Sequence, residues 1–338
     1  MNISVLGIDL AKSVFQLHGV NNTGKVALRR KVTRAKLRET VMQLEPCLIA
    51  MEACSSAHYW ARVFGGYGHE VRLISPQFVK PYVKSNKNDA ADAEAICEAA
   101  SRPSMRFVPI KQMEQQDIQS LHRARSLLVK QRTAAANQIR GLMAEYGVVV
   151  PQGINTLRKR IPEKLEDAQN DLSVVAREVI QSLYEQLCWF DERVATFDRR
   201  LAQVVRDTPA CQRLMVIPGV GPMTATALFS AVNHAKEFHN GRHLAAWLGL
   251  VPRQHSSGGK QTLLGISKRG DRHLRTLLIH GARAVIFHKK NDEGKEARWL
   301  RELIARRGFN RATVALANKM ARRAWVVLNK GECYRPMN

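Results

Sequence analysis

The sequence lacks the patterns that mark zinc-binding, disulfide-rich and membrane-spanning proteins. Its six cysteines (Cys47, Cys54, Cys97, Cys188, Cys211 and Cys333) include no CxxC pair and no zinc-type Cys/His spacing, so we expect reduced, buried thiols. The chain opens directly on an apolar strand, without a charged and apolar leader, and no stretch approaches roughly 18 uninterrupted apolar residues. These absences predict a cytoplasmic protein that has no membrane partner, and the surplus of basic residues adds the expectation that it is associated with the nucleoid.

Acidic residues are scarce relative to basic ones. Lys and Arg number 53 against 29 Asp and Glu, which gives a formal net charge of +24. Residues 209–338 alone hold 23 of the basic and only 7 of the acidic residues. A surplus of this size on one part of the chain predicts a polyphosphate partner, nucleic acid first. The alternative is a basic surface that only keeps the protein in solution.

The length of 338 residues and an apolar content of 45% allow two or three domains with real cores. We predict an α/β domain over residues 1–110, a helical linker and coiled-coil arm over 111–208, and a mostly helical domain over 209–330.

The first domain shows the order βββαβαβα, which predicts an RNase H-like (RuvC-like) architecture. Strand patterns, helical periodicity and Gly or Pro stops define the segments. The strands are predicted at Ile3–Asp9, Val14–Val20, Lys25–Val32, Cys47–Ala53 and His69–Ser75, and the helices at Thr33–Leu44, Ser55–Phe64 and Asn88–Ala100.

The arm shows the apolar repeat of a coiled coil. Its two helix-rich segments are Gln115–Tyr146 and Leu165–Val204. In the second, alternating spacings of four and three separate the residues Leu183, Leu187, Phe190, Val194, Phe197, Leu201 and Val204. The pattern favours a helical hairpin or an oligomerisation arm, and with it a dimer or tetramer. A single amphipathic helix packed on its own domain remains the alternative.

Four carboxylates fall at the ends of predicted elements in the first domain. Asp9 ends the first strand, Glu52 ends the fourth, and Asp89 and Asp92 share one face at the start of the last helix. In an RNase H-like sheet the first and fourth strands are neighbours, so the four groups would converge. Clustered carboxylates need a cation, and oxygen ligands suit Mg²⁺. The pattern predicts metal-assisted cleavage or transfer of a nucleic-acid strand. Taken singly, each acid could be a surface carboxylate or a helix cap.

Three short segments of the first domain and three of the last resemble the Piv/MooV-type DEDD transposases, the insertion sequence 110 family. The first group is GIDLAK from Gly7, MEAC from Met51 and KNDAADAEAI from Lys87. The second group comprises the segments Arg213–Val232, Ala245–Lys260 and Gly265–Ala282. Two motif groups in the family's order cover nearly the whole chain.

This resemblance implies a recombinase that a non-coding bridge RNA guides to its donor and target DNA. It also implies that Asp9, Glu52, Asp89 and Asp92 are the catalytic, metal-binding acids. The family's nucleophile is a serine that precedes a glycine, a position that Ser257 fits, with Ser256 as the adjacent alternative. A serine hydroxyl is a weak nucleophile until a metal or a base assists its deprotonation, which the acidic site would provide.

Two features of the basic domain predict contacts to nucleic-acid phosphates. The segment Ile217–Pro222, followed by Thr224, resembles a helix-hairpin-helix element in which Gly219 and Gly221 expose backbone N–H groups. A tight turn without a ligand is the alternative. Around and beyond the serine loop lie the basic residues Lys260, Lys268, Arg269, Arg272, Arg275 and Arg283. His255 and His273 flank this region, and either could orient a phosphate or the nucleophile.

The sequence therefore favours a DNA transposase that uses a serine nucleophile. Its rivals are a RuvC-like nuclease or resolvase that uses water, and a nucleic-acid-binding protein without catalytic activity.

Overall fold

The computed structural model describes residues 2–84, 88–289 and 292–335. The chain forms two compact units, Met1–Met113 and Glu114–Asn338. The predicted boundary at residue 110 lies within three residues of the first unit's end. The predicted boundary at residue 208 falls inside the second unit, because the long helix before it packs on the two short helices that follow it. No helix in the described part of the chain is long and apolar enough to cross a membrane.

The first unit contains a mixed sheet covered by helices. Its elements are β1 (Val5–Asp9), β2 (Val14–Val20), β3 (Val26–Thr33), α1 (Arg34–Met42), β4 (Leu48–Glu52), α2 (Ala57–Gly65), β5 (Glu70–Ile74), α3 (Pro76–Val79), a 3-10 turn (Lys80–Tyr82), α4 (Asp89–Ala100) and β6 (Phe107–Val108). The strand order is β3-β2-β1-β4-β5-β6. β1, β4 and β5 are parallel, and the other pairs are antiparallel. Every predicted strand and helix of this unit is present, and α3 and β6 are additional.

Each face of this sheet has its own apolar layer. Along β4, Ile49 and Met51 belong to the cluster that packs with α1 and α2, whereas Ala50 between them belongs to the cluster that packs with α4. This division follows from the two-residue period of a strand. Helix α4 lies close against β1. A Cβ atom added to Gly7 of β1 would lie only 2.3 Å from the carbonyl oxygen of Ala93 of α4.

The second unit is mostly helical. Its elements are α5 (Met113–Glu145, which starts at the last residue of the first unit), α6 (Ile154–Glu166), α7 (Val174–Asp207), α8 (Pro209–Met215), α9 (Pro222–Val232), α10 (Gly241–Trp247), β7 (Pro252–Ser257), β8 (Lys260–Ile266), α11 (Arg272–His288), α12 (Lys295–Arg307) and α13 (Phe309–Lys330).

Helices α5 and α7 form an antiparallel hairpin. Arg125 pairs with Asp198, and Arg132 pairs with Asp191 at 2.8 Å. The partner on α7 thus lies seven residues earlier when the arginine on α5 lies seven residues later, so the two helices run in opposite directions. In the predicted seam, the heptad positions occupied by Leu187, Val194 and Leu201 are buried. The other seam residues, Leu183, Phe190, Phe197 and Val204, are half-buried. The predicted helical hairpin is therefore formed within the chain itself.

The core of the C-terminal part surrounds α13, which contacts α8, α10, α11 and α12. The charge of the segment from Lys289 to Gly308 is typical of an exposed helix or loop. The segment contains α12, which turns Ala297 and Leu300 into the core and leaves most of its charged residues exposed. Lys290 and Asn291 lie outside the described residues.

Candidate active site

Asp9 and Glu52 end neighbouring parallel strands. Ile8 of β1 pairs with Met51 of β4, and each carboxylate belongs to the next residue along its strand. The predicted adjacency of the first and fourth strands is thus confirmed. β1 lies between β2 and β4 and has a buried centre, so the backbone that carries Asp9 is held from both sides.

Helix α4 brings two further carboxylates to the same place. The side chain of Asn88 accepts the N–H of Ala90 at 3.0 Å and caps the helix, whose first turn contains Asp89 and Asp92. Carboxylates in a first turn are stabilised by the helix dipole. Asp9, Asp89 and Asp92 each present a carboxylate oxygen, and these oxygens lie within 4.8 Å of one another. Such an oxygen-only donor set fits a hard divalent cation.

Glu52 lies at the edge of this group. Burial raises the pKa of Glu52, and the negative charge of Asp92 raises it further. The structure therefore gathers Asp9, Asp89 and Asp92 into one group of carboxylates, with Glu52 at the end of the neighbouring strand. A bound cation would relieve the repulsion among all four.

Cys54 is a neighbour of the acidic group that the sequence pattern did not reveal. Although the residue as a whole is exposed, partial desolvation of its sulfur raises the pKa of the thiol, as do the charges of Glu52 and Asp9, so the thiol is protonated at neutral pH. The prediction that all cysteines are buried is wrong for Cys54 and Cys333, which are exposed, and Cys188 is intermediate. All six are free thiols.

Ser257 lies at the tip of a two-stranded hairpin, β7–β8, in the second unit. It pairs with Lys260 across Gly258 and Gly259, which have φ of 55° and 78°. Two consecutive residues with positive φ form the tight turn that suits a hairpin, and glycine adopts it without strain. All residues of β7 are exposed.

The two candidate serines face opposite sides of the hairpin, because side chains alternate along a strand. Ser256 accepts a hydrogen bond from Nε2 of Gln254 at 2.9 Å. Ser257 shares its face with Lys260 directly opposite, and with His255 two residues away. The hairpin sequence from Pro252 to Ile266 contains no carboxylate.

The predicted helix-hairpin-helix turn connects α8 and α9. Gly219 has a φ of +85°, and an added Cβ would be 2.8 Å from the carbonyl oxygen of Gly281 on α11. The close approach of the two backbones therefore explains why this position is glycine. This explanation agrees with the alternative interpretation, a tight turn without a ligand. Gly221 precedes α9 and has open space beside it. Thr224 is 5% exposed. Its prediction as a phosphate contact is wrong, because its side chain points into the core.

Of the predicted basic contacts, Lys260, Lys268, Arg269, Arg272 and Arg283 are exposed. Arg275 is buried, and its guanidinium donates to the carbonyl oxygens of Leu248 at 3.0 Å and Arg269 at 2.9 Å. It fixes the basic loop to the end of α10, so the prediction that it binds phosphate is wrong. His273 is half-buried, and its Nε2 lies 3.5 Å from Nδ1 of His122.

Comparison with known proteins covers nearly the whole chain. The family described as "Transposase IS116/IS110/IS902 family" matches residues 211–297, and a DEDD transposase family of the IS110 type matches residues 6–148. A probable family 20 transposase of Pseudomonas aeruginosa is 51% identical over 99% of this chain and 100% of its own length. The transposase for insertion sequence element IS1111A of Coxiella burnetii is 50% identical over 99% of this chain and 92% of its own length.

A more distant relative has a different biological setting. The pilin gene-inverting protein of Moraxella bovis is 23% identical over 85% of this chain and 84% of its own length. The two family matches and the full-length relatives agree with one another, and with an acidic site followed by a basic domain. The chain belongs to the IS110 family of insertion-sequence transposases, enzymes that cleave and join DNA.

Proposed function

We propose that this transposase exchanges DNA strands through a covalent intermediate on Ser257, with Mg²⁺ held by the acidic group of the first unit. The observation that carries the proposal is the set of three carboxylates, Asp9, Asp89 and Asp92, within 4.8 Å of one another. A protein that only binds nucleic acid has no use for a carboxylate cluster facing an anionic ligand, since the charges repel.

The arrangement of the first unit supports an RNase H-like (RuvC-like) domain. Its sheet order β3-β2-β1-β4-β5, with only β2 antiparallel to both of its neighbours, places the ends of β1 and β4 side by side. Asp9, Glu52, Asp89 and Asp92 would hold the cation, and Mg²⁺ bound there would supply a Lewis acid for a phosphoryl oxygen. Burial and the charge of Asp92 raise the pKa of Glu52, and a bound cation would favour its ionised form.

Ser257 is the proposed nucleophile. Its oxygen attacks the phosphorus of the scissile phosphate, the bond from phosphorus to the leaving sugar oxygen breaks, and that oxygen departs as a hydroxyl after taking a proton. A hydroxyl of the partner strand then attacks the phosphoserine ester, which restores the serine and joins the new strand. The ester conserves the energy of the broken bond, so no nucleotide cofactor is needed.

The residues beside Ser257 fit a phosphate. Lys260 and His255 share its face of the hairpin, where a positive charge and a hydrogen-bond donor would hold the phosphate oxygens. Because the hairpin itself has no carboxylate, the acids that bind the metal must come from elsewhere, in the same chain or in a second copy.

The remaining partners follow from the basic surface and from the family resemblance. Lys268, Arg269 and Arg272 are exposed and would neutralise DNA phosphates near the hairpin, with Gly219 and Gly221 offering backbone N–H groups as a weaker candidate. A bridge RNA would supply the sequence recognition, and a dimer or tetramer would hold the two DNA partners. Sequencing the RNA that co-purifies with the protein tests the role of the bridge RNA. If no specific RNA co-purifies, guidance by RNA is excluded from the proposal.

The serine mechanism is tested by trapping a covalent protein–DNA adduct. The full-length protein is incubated with Mg²⁺ and its element's end DNA, quenched in denaturant, and searched by mass spectrometry for a phosphoryl linkage. We expect the adduct on Ser257, its loss in Ser257→Ala, and its retention in Ser256→Ala. Nicking by Ser257→Ala at the wild-type rate would exclude the serine and favour a nuclease that uses water.

A further inference from the structure

An open cavity lies on the second unit between the start of α10, one face of α13, and α12. Its volume is about 720 Å³, within the range of roughly 300 to 1,000 Å³ that is usual for small-ligand sites. Its lining includes Asn240, Arg242, Trp299, Asn318, Arg322 and Trp325. None of these six residues belongs to the α8–α9 turn, the β7–β8 hairpin or the basic helix α11.

Two tryptophans of the cavity are half-buried and held in place. The indole N–H of Trp325 donates to the carbonyl oxygen of Phe238 at 2.9 Å, which fixes the plane of its ring. The ammonium of Lys319 lies 4.6 Å from the ring centroid of Trp299, a cation–π contact. Held aromatic rings in a concave site are suited to stack against a planar ligand.

The cations of the cavity fall into two classes. Lys319 and Arg323 share the carboxylate of Glu296, at 3.3 and 2.5 Å. Although burial raises the pKa of Glu296, the hydrogen bonds and charges of Arg323 and Lys319 outweigh it and lower the pKa overall. That carboxylate therefore stays ionised and holds both cations.

Arg242 and Arg322 form the second class. Both are exposed, and within residues 2–84, 88–289 and 292–335 neither belongs to an ion pair. Their guanidinium groups are free to meet an anion from outside. Since guanidinium binds phosphate through paired N–H donors, the cavity combines an aromatic wall with a phosphate-binding rim.

Two amides complete the lining. Asn318 donates from Nδ2 to the carbonyl oxygen of Leu250 at 3.2 Å, and Oδ1 of Asn240 accepts the N–H of His243 at 3.0 Å. These bonds orient both side chains, and each amide has donor and acceptor groups of the kind that read the edge of a nucleobase.

We propose that this cavity binds one unpaired nucleotide of a nucleic-acid strand. The base stacks on Trp299 or Trp325, and the phosphates on either side of it bind Arg242 and Arg322. A base inside a duplex has both faces covered by its neighbours, so only an unpaired or extruded base reaches a concave aromatic wall. The proposal is independent of the metal site and of Ser257, so it can fail or succeed without them.

The binding experiment uses the full-length protein and fluorescence anisotropy. The ligands are labelled oligouridylate, oligothymidylate and an abasic deoxyribose-phosphate strand of the same length. We expect either base-containing strand to bind about 10-fold more tightly than the abasic strand, the contribution of one stacked base. A preference for uridylate or for thymidylate identifies RNA or DNA as the source of the nucleotide.

The variants separate the cavity from general electrostatics. In Arg242→Gln/Arg322→Gln the salt dependence of binding should fall by about 1.4 in slope, the share of two single-strand phosphates. The matched control is Arg298→Gln/Arg311→Gln, which removes the same charge from exposed positions on α12 and α13 outside the cavity lining. The control should keep a salt slope close to that of the wild-type protein, whereas the cavity variant should bind both the base-containing and the abasic strands more weakly.

Crosslinking provides a readout that does not depend on affinity. A strand containing 4-thiouridine is irradiated on the wild-type protein, and the modified peptides are identified. The proposal expects crosslinks at Trp299 or Trp325. It is overturned by equal affinity for the abasic strand, by cavity and control variants that behave alike, or by uridine monophosphate competing as well as the strand.

Discussion

The acidic site of the first unit and the serine hairpin of the second are held in different ways. Asp9 is the last residue of a buried strand that has a neighbour on each side, and α4 lies in backbone contact with that strand at Gly7. Ser257 lies on an exposed ribbon whose two strands pair only with each other. A two-stranded ribbon is marginally stable by itself, so bound nucleic acid is expected to complete its positioning.

The difference shows how the proposed reaction divides its requirements. A metal site needs several ligands at fixed separations, which a packed sheet and helix provide before any ligand arrives. A nucleophile that must reach a phosphate, form an ester and be released benefits from an exposed turn. The contrast is open to experiment, because each region can be altered without touching the other.

The largest effect is expected from Asp92→Asn. Loss of a proposed metal ligand should lower DNA cleavage by more than about 100-fold, above the cost of losing a supporting residue around a metal. Wild-type protein should gain thermal stability on addition of Mg²⁺, and the variant should gain much less. Differential scanning fluorimetry and a cleavage assay measure the two effects.

Glu94→Gln is the control for this change. Glu94 is two residues further along α4, but it pairs with Arg29 at 3.5 Å and Lys84 at 3.7 Å instead of joining the acidic group. The control should keep nearly full activity. Comparable losses in both variants would mean that the charge of α4, and not a metal ligand, is what matters.

The contact of α4 with β1 predicts the next effect. In Gly7→Ala the new Cβ would lie 2.3 Å from the carbonyl oxygen of Ala93 and 2.7 Å from the backbone nitrogen of Cys97. Displacing helix backbone should cost about 3 kcal/mol of unfolding free energy and move Asp92 away from Asp9. Urea denaturation of the full chain measures the first and the Mg²⁺-induced thermal shift the second.

Gly65→Ala is the matched substitution for Gly7→Ala, because Gly65 lies at the end of α2 and has no atom within 4 Å of an added Cβ. Its stability should be unchanged or slightly increased. A Gly7→Ala protein as stable as Gly65→Ala would show that α4 does not press against β1.

A smaller, pH-dependent effect is expected in the second unit. Burial, with help from the charges of His273 and Arg125, lowers the pKa of His122 to about 4, and Asp271 opposes this. Its Nε2 lies 2.9 Å from Oγ1 of Thr226. Since the unfolded chain binds the proton more readily, stability is full above the unfolded pKa of 6.5 and falls as the pH approaches 4.

The expected loss is about 2 kcal/mol between pH 7 and pH 5. Burial also lowers the pKa of His273, which acts in the same direction. Four of the five tryptophans lie in the second unit, so their fluorescence follows its unfolding in urea. His122→Gln should flatten the pH dependence. An equally steep dependence in that variant would assign it to other groups.

A residue's position can be predicted from the sequence when nearby residues determine it, and not when contacts with distant parts of the chain determine it. The end of a strand and the start of a helix can be recognised from nearby residues, so Asp9, Glu52, Asp89 and Asp92 were placed on the right elements. Strand neighbours came from the order of elements. Ser257 had no such signal, and only the family resemblance singled it out.

The errors have one physical origin. Arg275 and Thr224 carry polar groups in a basic, glycine-rich region, which favoured contact with phosphate. Whether such a group is exposed depends on how other elements pack around it. The guanidinium of Arg275 donates hydrogen bonds to the carbonyl oxygens of Leu248 and Arg269 and is buried. The cavity around Trp299 and Trp325 was missed for the same reason, because its lining spans more than 80 residues of chain.

The sequence by itself determined the charge distribution, the order of strands and helices, the positions of the acids and the family. These properties are written in composition, periodicity and short motifs. Only the tertiary structure decided which three carboxylates lie within 4.8 Å of one another, that the seam helix pairs with α5 of the same chain, and which arginines remain exposed. Those outcomes depend on distances between residues far apart in the chain, and packing sets such distances.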